Sequence, residues 1–130
     1  MDNLKKAQCE ELRNLESEEA ATWLMSKYPI ESPDYGEAIM LMPHRSWKKA
    51  DQIRLAKYYL QKIPFANSKA YEMFASFMPI QTMIKIIHEK LKEANINVDL
   101  LLYHLTPVLK KHAKSASDND AINQFLSEIR

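Results

Sequence analysis

The sequence predicts an all-α protein: a compact, irregular bundle of six or seven short helices with no sheet. Three observations lead there. Apolar residues recur at three- and four-residue spacing in one segment after another, and no segment sustains the alternation of a strand. The chain has one glycine, Gly36, whereas β-hairpins and phosphate-binding loops lean on glycine. Six prolines separate the periodic segments, with Pro107 the exception, so helix ends fall to proline, asparagine and serine. A length of 130 residues suits a single domain, 1–130. Such a chain can bury a core without disulfide or metal. The proline spacings are unequal, which favours a bundle over a regular solenoid.

The elements follow in order. A first helix is expected over Asn3 to Leu15, with Leu4, Ala7, Leu12 and Leu15 on one face. Ser17 offers a cap for a second, and Glu18 and Glu19 suit the positive end of its dipole. Ala20, Ala21, Leu24 and Tyr28 form its stripe, with Trp23 flanking and Pro29 ending it. Ser32-Pro33 signals a third start, running to about Met42; Gly36 weakens that segment, and an irregular loop competes.

The stretch His44 to Ile63 organises the chain. Ser46 is its expected cap and Pro64 its end. Trp47, Ala50, Ile53, Ala56, Leu60 and Ile63 make the apolar stripe, and six bases stand between them. Asn67 or Ser68 starts a short helix through Phe77, apolar nearly all round and therefore expected inside. Pro79 opens the next, with Ile80, Met83, Ile84, Ile87 and Leu91 as its stripe and Asn95 as a left-handed cap. Asn97 starts the following helix, in which Val98, Leu101, Leu102, Leu105, Val108, Leu109 and His112 share a face. Pro107 predicts a kink or break there. Ser115 to Asp118 reads as a polar loop, and a last helix over about Asn119 to Ile129 buries Ile122, Phe125, Leu126 and Ile129.

Composition bounds the function. The single cysteine, Cys9, cannot form an internal disulfide and fits a reducing compartment. Met1 to Lys6 lacks the apolar core of a signal peptide. The apolar runs Ala38 to Met42 and Leu100 to Tyr103 are too short to span a bilayer. These features predict a cytoplasmic protein. The net charge of +1 hides an asymmetry. Residues 1–37 carry four bases against nine acids, residues 44–62 six bases against Asp51, and residues 85–114 six bases against three acids. Segregated charge points to a charged partner or to complementarity within the molecule.

Recognisable chemistry is scarce. One glycine excludes dinucleotide and P-loop fingerprints, and one cysteine excludes zinc-finger spacing. His88-Glu89 opens a metalloprotease helix motif, but Lys92 stands where the second histidine belongs. The four histidines read as surface or half-buried side chains with local hydrogen bonds. The N-terminal carboxylates lie where solvated acids are ordinary. Neither catalytic residues, nor a cofactor, nor a metal is expected. The seven methionines fill core gaps or line an adaptable groove.

One resemblance bears on function. Trp47, then Ile53-Arg54-Leu55-Ala56-Lys57-Tyr58-Tyr59-Leu60, Ile63-Pro64-Phe65-Ala66 and Tyr71-Glu72-Met73-Phe74 resemble the helical immunity proteins of bacterial contact-dependent inhibition and related toxin systems. The likeness covers the middle third of the chain. It implies a small, cytoplasmic, non-enzymatic protein that binds the toxic domain of a cognate effector, often a nuclease, and blocks its active site. A nuclease cleft must be basic to hold phosphates, so a protein that blocks one would present acids. The expected partner-binding residues are therefore Glu16, Glu18, Glu19, Glu31, Asp34, Tyr35 and Glu37. An alternative is a nucleic-acid-binding or regulatory domain that uses the basic helix 45–62, with Arg45, Lys48, Lys49 and Lys57 on phosphates beside Tyr58 and Tyr59. A third class, an enzyme using carboxylates with His104 or His112, lacks a constellation.

Overall fold

The computed structural model describes residues 3–129, and among them every regular element is helical. Eight α-helices follow one another: α1 (Asn3–Asn14), α2 (Ser17–Lys27), α3 (Tyr35–Leu41), α4 (Lys49–Tyr59), α5 (Lys69–Phe77), α6 (Ile80–Glu93), α7 (Val98–His112) and α8 (Ala116–Glu128). Short 3-10 turns, Met42–His44 and Leu60–Lys62, extend α3 and α4. The count exceeds six or seven. Tyr35–Leu41 is helical despite Gly36, whose missing side chain faces open space.

The centre of the fold is a parallel pair, α2 and α4. At their starts, Ser17 Oγ accepts the Lys48 amide N–H (3.0 Å) and donates to Asp51 Oδ2 (2.6 Å). In the middle, the Arg54 guanidinium donates to Glu18 O and to Thr22 Oγ1. At their ends, the Tyr59 hydroxyl meets Leu24 O (3.1 Å) and Tyr28 O (2.7 Å). Beyond them the Ile30 amide N–H donates to the Tyr58 hydroxyl (3.0 Å). Two parallel helix dipoles set like ends side by side. The charges relieve this: Glu18, Glu19 and Asp51 lie in the first turns, and Lys27 and Lys57 in the last.

This pairing corrects two expectations. Ser17 does not cap its own helix and Ser46 does not cap α4; the N-cap positions are Glu16 and Lys48, neither with a side-chain cap bond. Ser17 instead serves the start of α4 from across the interface. The buried face of α4 and its turn is Asp51, Leu55, Ala56, Tyr59 and Leu60, while Ala50 is exposed and Ile53 half-buried. Asp51 is only 6 % exposed. Hydrophobicity alone never places an aspartate in a core, so it rotates the stripe away from Asp51.

Helix α1 is pinned from outside. Its buried residues are Gln8, Cys9 and Leu12, whereas Leu4 is 69 % exposed and Ala7 exposed. Gln8 Nε2 donates to the Tyr28 hydroxyl (2.7 Å). The last carbonyls of a helix lack intrahelical donors, and no glycine follows α1 to fold back on them. Arg45 takes that role: its Nη1 donates to Leu12 O (2.6 Å) and Leu15 O (2.8 Å). Its guanidinium also stacks 4.7 Å from the Trp47 ring.

The other helices pack much as their stripes predict. Tyr71 and Phe74 of α5 are fully buried, as are Met83 and Ile87 of α6 and Leu101, Leu105 and Leu109 of α7. Asn97 caps α7 through its side chain, which accepts from Leu100 N. Helix α7 continues through Pro107, so the expected break does not occur. Pro107 and Tyr103 are exposed, and the carbonyl released four residues back lies on the solvent side of the helix. Helix α8 starts earlier than Asn119, because Ser115 accepts the Asp118 amide and draws residues 116–118 into its first turn. The α3 start falls at Tyr35, with Ser32 Oγ accepting the Asp34 amide in the preceding turn. Helix α6 ends at Glu93, and no non-glycine residue among those described has positive φ, so Asn95 is not a left-handed cap.

The buried Ser17–Asp51 bond gives a test. Ser17→Ala is expected to lower unfolding free energy by about 1–3 kcal/mol, because it strands a buried carboxylate. Ser17→Ala with Asp51→Ala is expected to cost less than the two single changes added together. Urea titration checks this; strict additivity would deny the coupling.

Candidate functional site

The seven sequence-expected binding residues fall into two groups. Glu16, Glu18 and Glu19 surround the start of α2, all exposed. Glu31, Asp34, Tyr35 and Glu37 lie past its far end, about 16 Å away by the rise of an 11-residue helix. Among the described residues, Glu16, Glu18, Glu19, Glu31 and Asp34 form no ion pair. Glu37 pairs with Lys5 at 3.5 Å. Asp34, Tyr35 and Glu37 line a cleft of about 420 Å³ between α3 and the segment leading into α5, floored by Ile39 and Phe65. Lys62 stands 5.0 Å over the Tyr35 ring at this end.

The acid-rich and basic segments do pack together, since α2 lies along α4. They meet through backbone carbonyls, hydroxyls and the buried Asp51 carboxylate, and not through the carboxylates of the acid-rich segment. Of the alternative phosphate contacts, Arg45 is occupied by the end of α1 and by Trp47. Lys48, Lys49 and Lys57 are exposed. Tyr59 is fully buried, and burial raises its hydroxyl well above the ordinary tyrosine range. Tyr58 is half-buried, edge-on to Tyr59, with its hydroxyl on Ile30. The buried Tyr59 ring offers no free face for stacking a base.

The histidines have local partners. His112 Nε2 lies 2.7 Å from Glu72 Oε2, and Lys111 Nζ lies 3.4 Å from Glu72 Oε1. These contacts tie the end of α7 to α5. The hydrogen bond to His112, with Lys111 adding, holds the Glu72 carboxyl below its usual range. His88 Nδ1 lies 3.5 Å from Glu128, and its ring meets Phe125 edge-on. His104 packs edge-on against Tyr103. The His44 carbonyl accepts from Arg13 Nε. Asp118 accepts from Gln81 Nε2 and the Lys114 amide, and these bonds lower its carboxyl too. No group of three His, Cys, Asp or Glu residues placed to hold a metal ion occurs among the described residues.

Sequence reading missed one surface feature. Tyr103 is 73 % exposed and Leu100 38 % exposed on the outer side of α7. The available signal was that both fall off the α7 stripe. No helix among the described residues is long and apolar enough to cross a membrane. Compared with known proteins, the chain matches no family model, no curated protein and no solved structure.

The Glu72–His112 contact sets a pH dependence. A carboxyl whose folded pKa is lowered adds stability above its unfolded value and loses it as pH falls through the folded one. The urea midpoint is therefore expected to fall as pH drops below about 5, and Glu72→Gln to flatten that fall. Equal slopes in the two proteins would remove the pair from the account.

Proposed function

We propose that this chain is a non-enzymatic immunity protein that binds and blocks the toxic domain of a cognate effector, a nuclease by preference. The observation that carries the reading is one of charge. Glu16, Glu18, Glu19, Glu31 and Asp34 project from the molecule without an internal ion pair, while the arginines of the basic helix are spent on internal carbonyls and a ring. A helical scaffold with unpaired surface acids suits a basic protein cleft better than a phosphate backbone. Complementary charge speeds encounter and fixes the choice of partner. The middle-third resemblance supports the same reading. It implies a location in the bacterial cytoplasm, where the protein would meet an incoming toxin. The nucleic-acid alternative keeps Lys48, Lys49 and Lys57, yet it loses Arg45 and Tyr59.

The test starts from the adjacent upstream gene. The C-terminal domain of its product is titrated with this protein by calorimetry. One-to-one binding that inhibits the toxin's activity is expected. Glu18→Lys with Glu19→Lys is then expected to slow association about tenfold at low salt, and less at high salt. Absence of binding would overturn the proposal and favour salt-dependent titration against RNA and DNA. Binding indifferent to both charge reversals would remove the start of α2 from the interface.

A further inference from the structure

The outward face of α7 carries the most exposed aromatic side chain among the described residues. Leu4, Leu100 and Tyr103 are the large hydrophobic side chains exposed among the described residues, and two of the three stand one turn apart on this helix. Pro107 continues the same face a turn further on. Beside it, a groove of about 870 Å³ runs along the seam towards Ile129. Thr106 lines that groove, and its buried Oγ1 has no hydrogen-bond partner. A surface that combines an exposed tyrosine with an apolar groove marks an interaction site more than a solvated face.

The charges on this face say what covers it. Asp99 lies in the first turn of α7, and Lys110 and Lys111 lie in the last, all exposed. A second copy laid parallel would set Asp99 against Asp99 and lysine against lysine. Laid antiparallel about the middle of the helix, it sets Asp99 against Lys110 of the other copy. Symmetry then makes the same contact twice. Asp99 and Lys110 are eleven residues apart, three turns of α-helix, so they share one flank of the face. Tyr103 and Pro107 centre within about half a residue of the same point, and each Tyr103 falls across Pro107 of the other copy. The aliphatic stem of Lys111 falls across Leu100. Acid at one end, apolar centre and base at the other is a self-complementary pattern in the antiparallel sense alone.

We infer that the outer face of α7 is the interface of a symmetric, antiparallel homodimer. It uses none of Glu16 to Glu37, so its residues are distinct from those of the proposed toxin-binding surface. One helix face and the adjoining groove make a small interface, below the ~1,600 Å² of a standard one. The dimer is accordingly a weak one, with a dissociation constant on the order of tens of micromolar.

Sedimentation velocity of the full chain tests it, over a hundredfold concentration range reaching about 500 μM. The average mass is expected to climb from 15.2 kDa towards twice that value. Tyr103→Glu is expected to weaken the dimer at least about tenfold. Asp99→Lys and Lys110→Asp are each expected to weaken it severalfold, and the two together in one chain to restore it, because both cross-pairs are rebuilt with signs exchanged. All three side chains are exposed, and circular dichroism verifies that each variant keeps its helices. A wild-type chain that stays monomeric at the highest concentration overturns the inference. So does a dimer untouched by Tyr103→Glu, or a double charge exchange weaker than either single change.

Discussion

The architecture depends on a single buried hydroxyl. Ser17 accepts an amide from the start of α4 and donates to Asp51, a carboxylate shut away from water. An aspartate in that position is costly unless every lone pair it turns inward is met. Meeting it fixes α2 beside α4, aligns their starts, and makes the two helices parallel. Parallel neighbours so close in sequence require a long return. The chain supplies it through α3 and the 3-10 turn at Met42–His44, which bring it back from the end of α2 to the start of α4. Trp47 then closes the approach by donating its indole N–H to Met42 O (2.9 Å). The opposite end is secured by another buried hydroxyl, that of Tyr59 on two carbonyls.

The charge asymmetry of the sequence has two physical sources. Part belongs to the fold: acids gather where two helix dipoles begin, and bases where they end. Arginines replace the missing glycines in satisfying free carbonyls. What is left over after this internal use is an acidic surface at both ends of α2 and a set of exposed lysines on α4. Net charge near neutrality conceals that division. A partner meets the residual charges and not the formal ones, which is why Arg45 and Arg54 count less as a binding surface than the base density of segment 45–62 implies.

Much of the fold was legible in the sequence. Proline and asparagine punctuation placed the helices, and the stripes of α2, α6 and α7 name the buried residues almost in full. Asn97 is the cap that its position implies. The failures at the centre of the fold share one cause. Ser17, Asp51, Gln8 and Arg45 are polar groups whose places are set by partners some twenty to thirty-four residues away, and no local pattern contains that information. The face of α1 and the rotation of α4 were misjudged for this reason. At the candidate site the identity of the exposed acids was readable, since Glu16, Glu18, Glu19, Glu31 and Asp34 are indeed on the surface. Their division into two separated groups was not, because it depends on the length of α2 and on where the chain turns after it.

Cys9 gives the protein an unplanned instrument. It is the only thiol in the chain, it lies on the inner side of α1, and it is 2 % exposed. Helix α1 lies against the body through Lys5, Gln8, Arg13 and Arg45, and it leaves Leu4 in solvent. A terminal helix on the outside of a bundle lifts more readily than the core unfolds. The pace at which a thiol reagent labels Cys9 in the intact protein thus clocks the opening of that helix, residue-specifically and without any engineered probe.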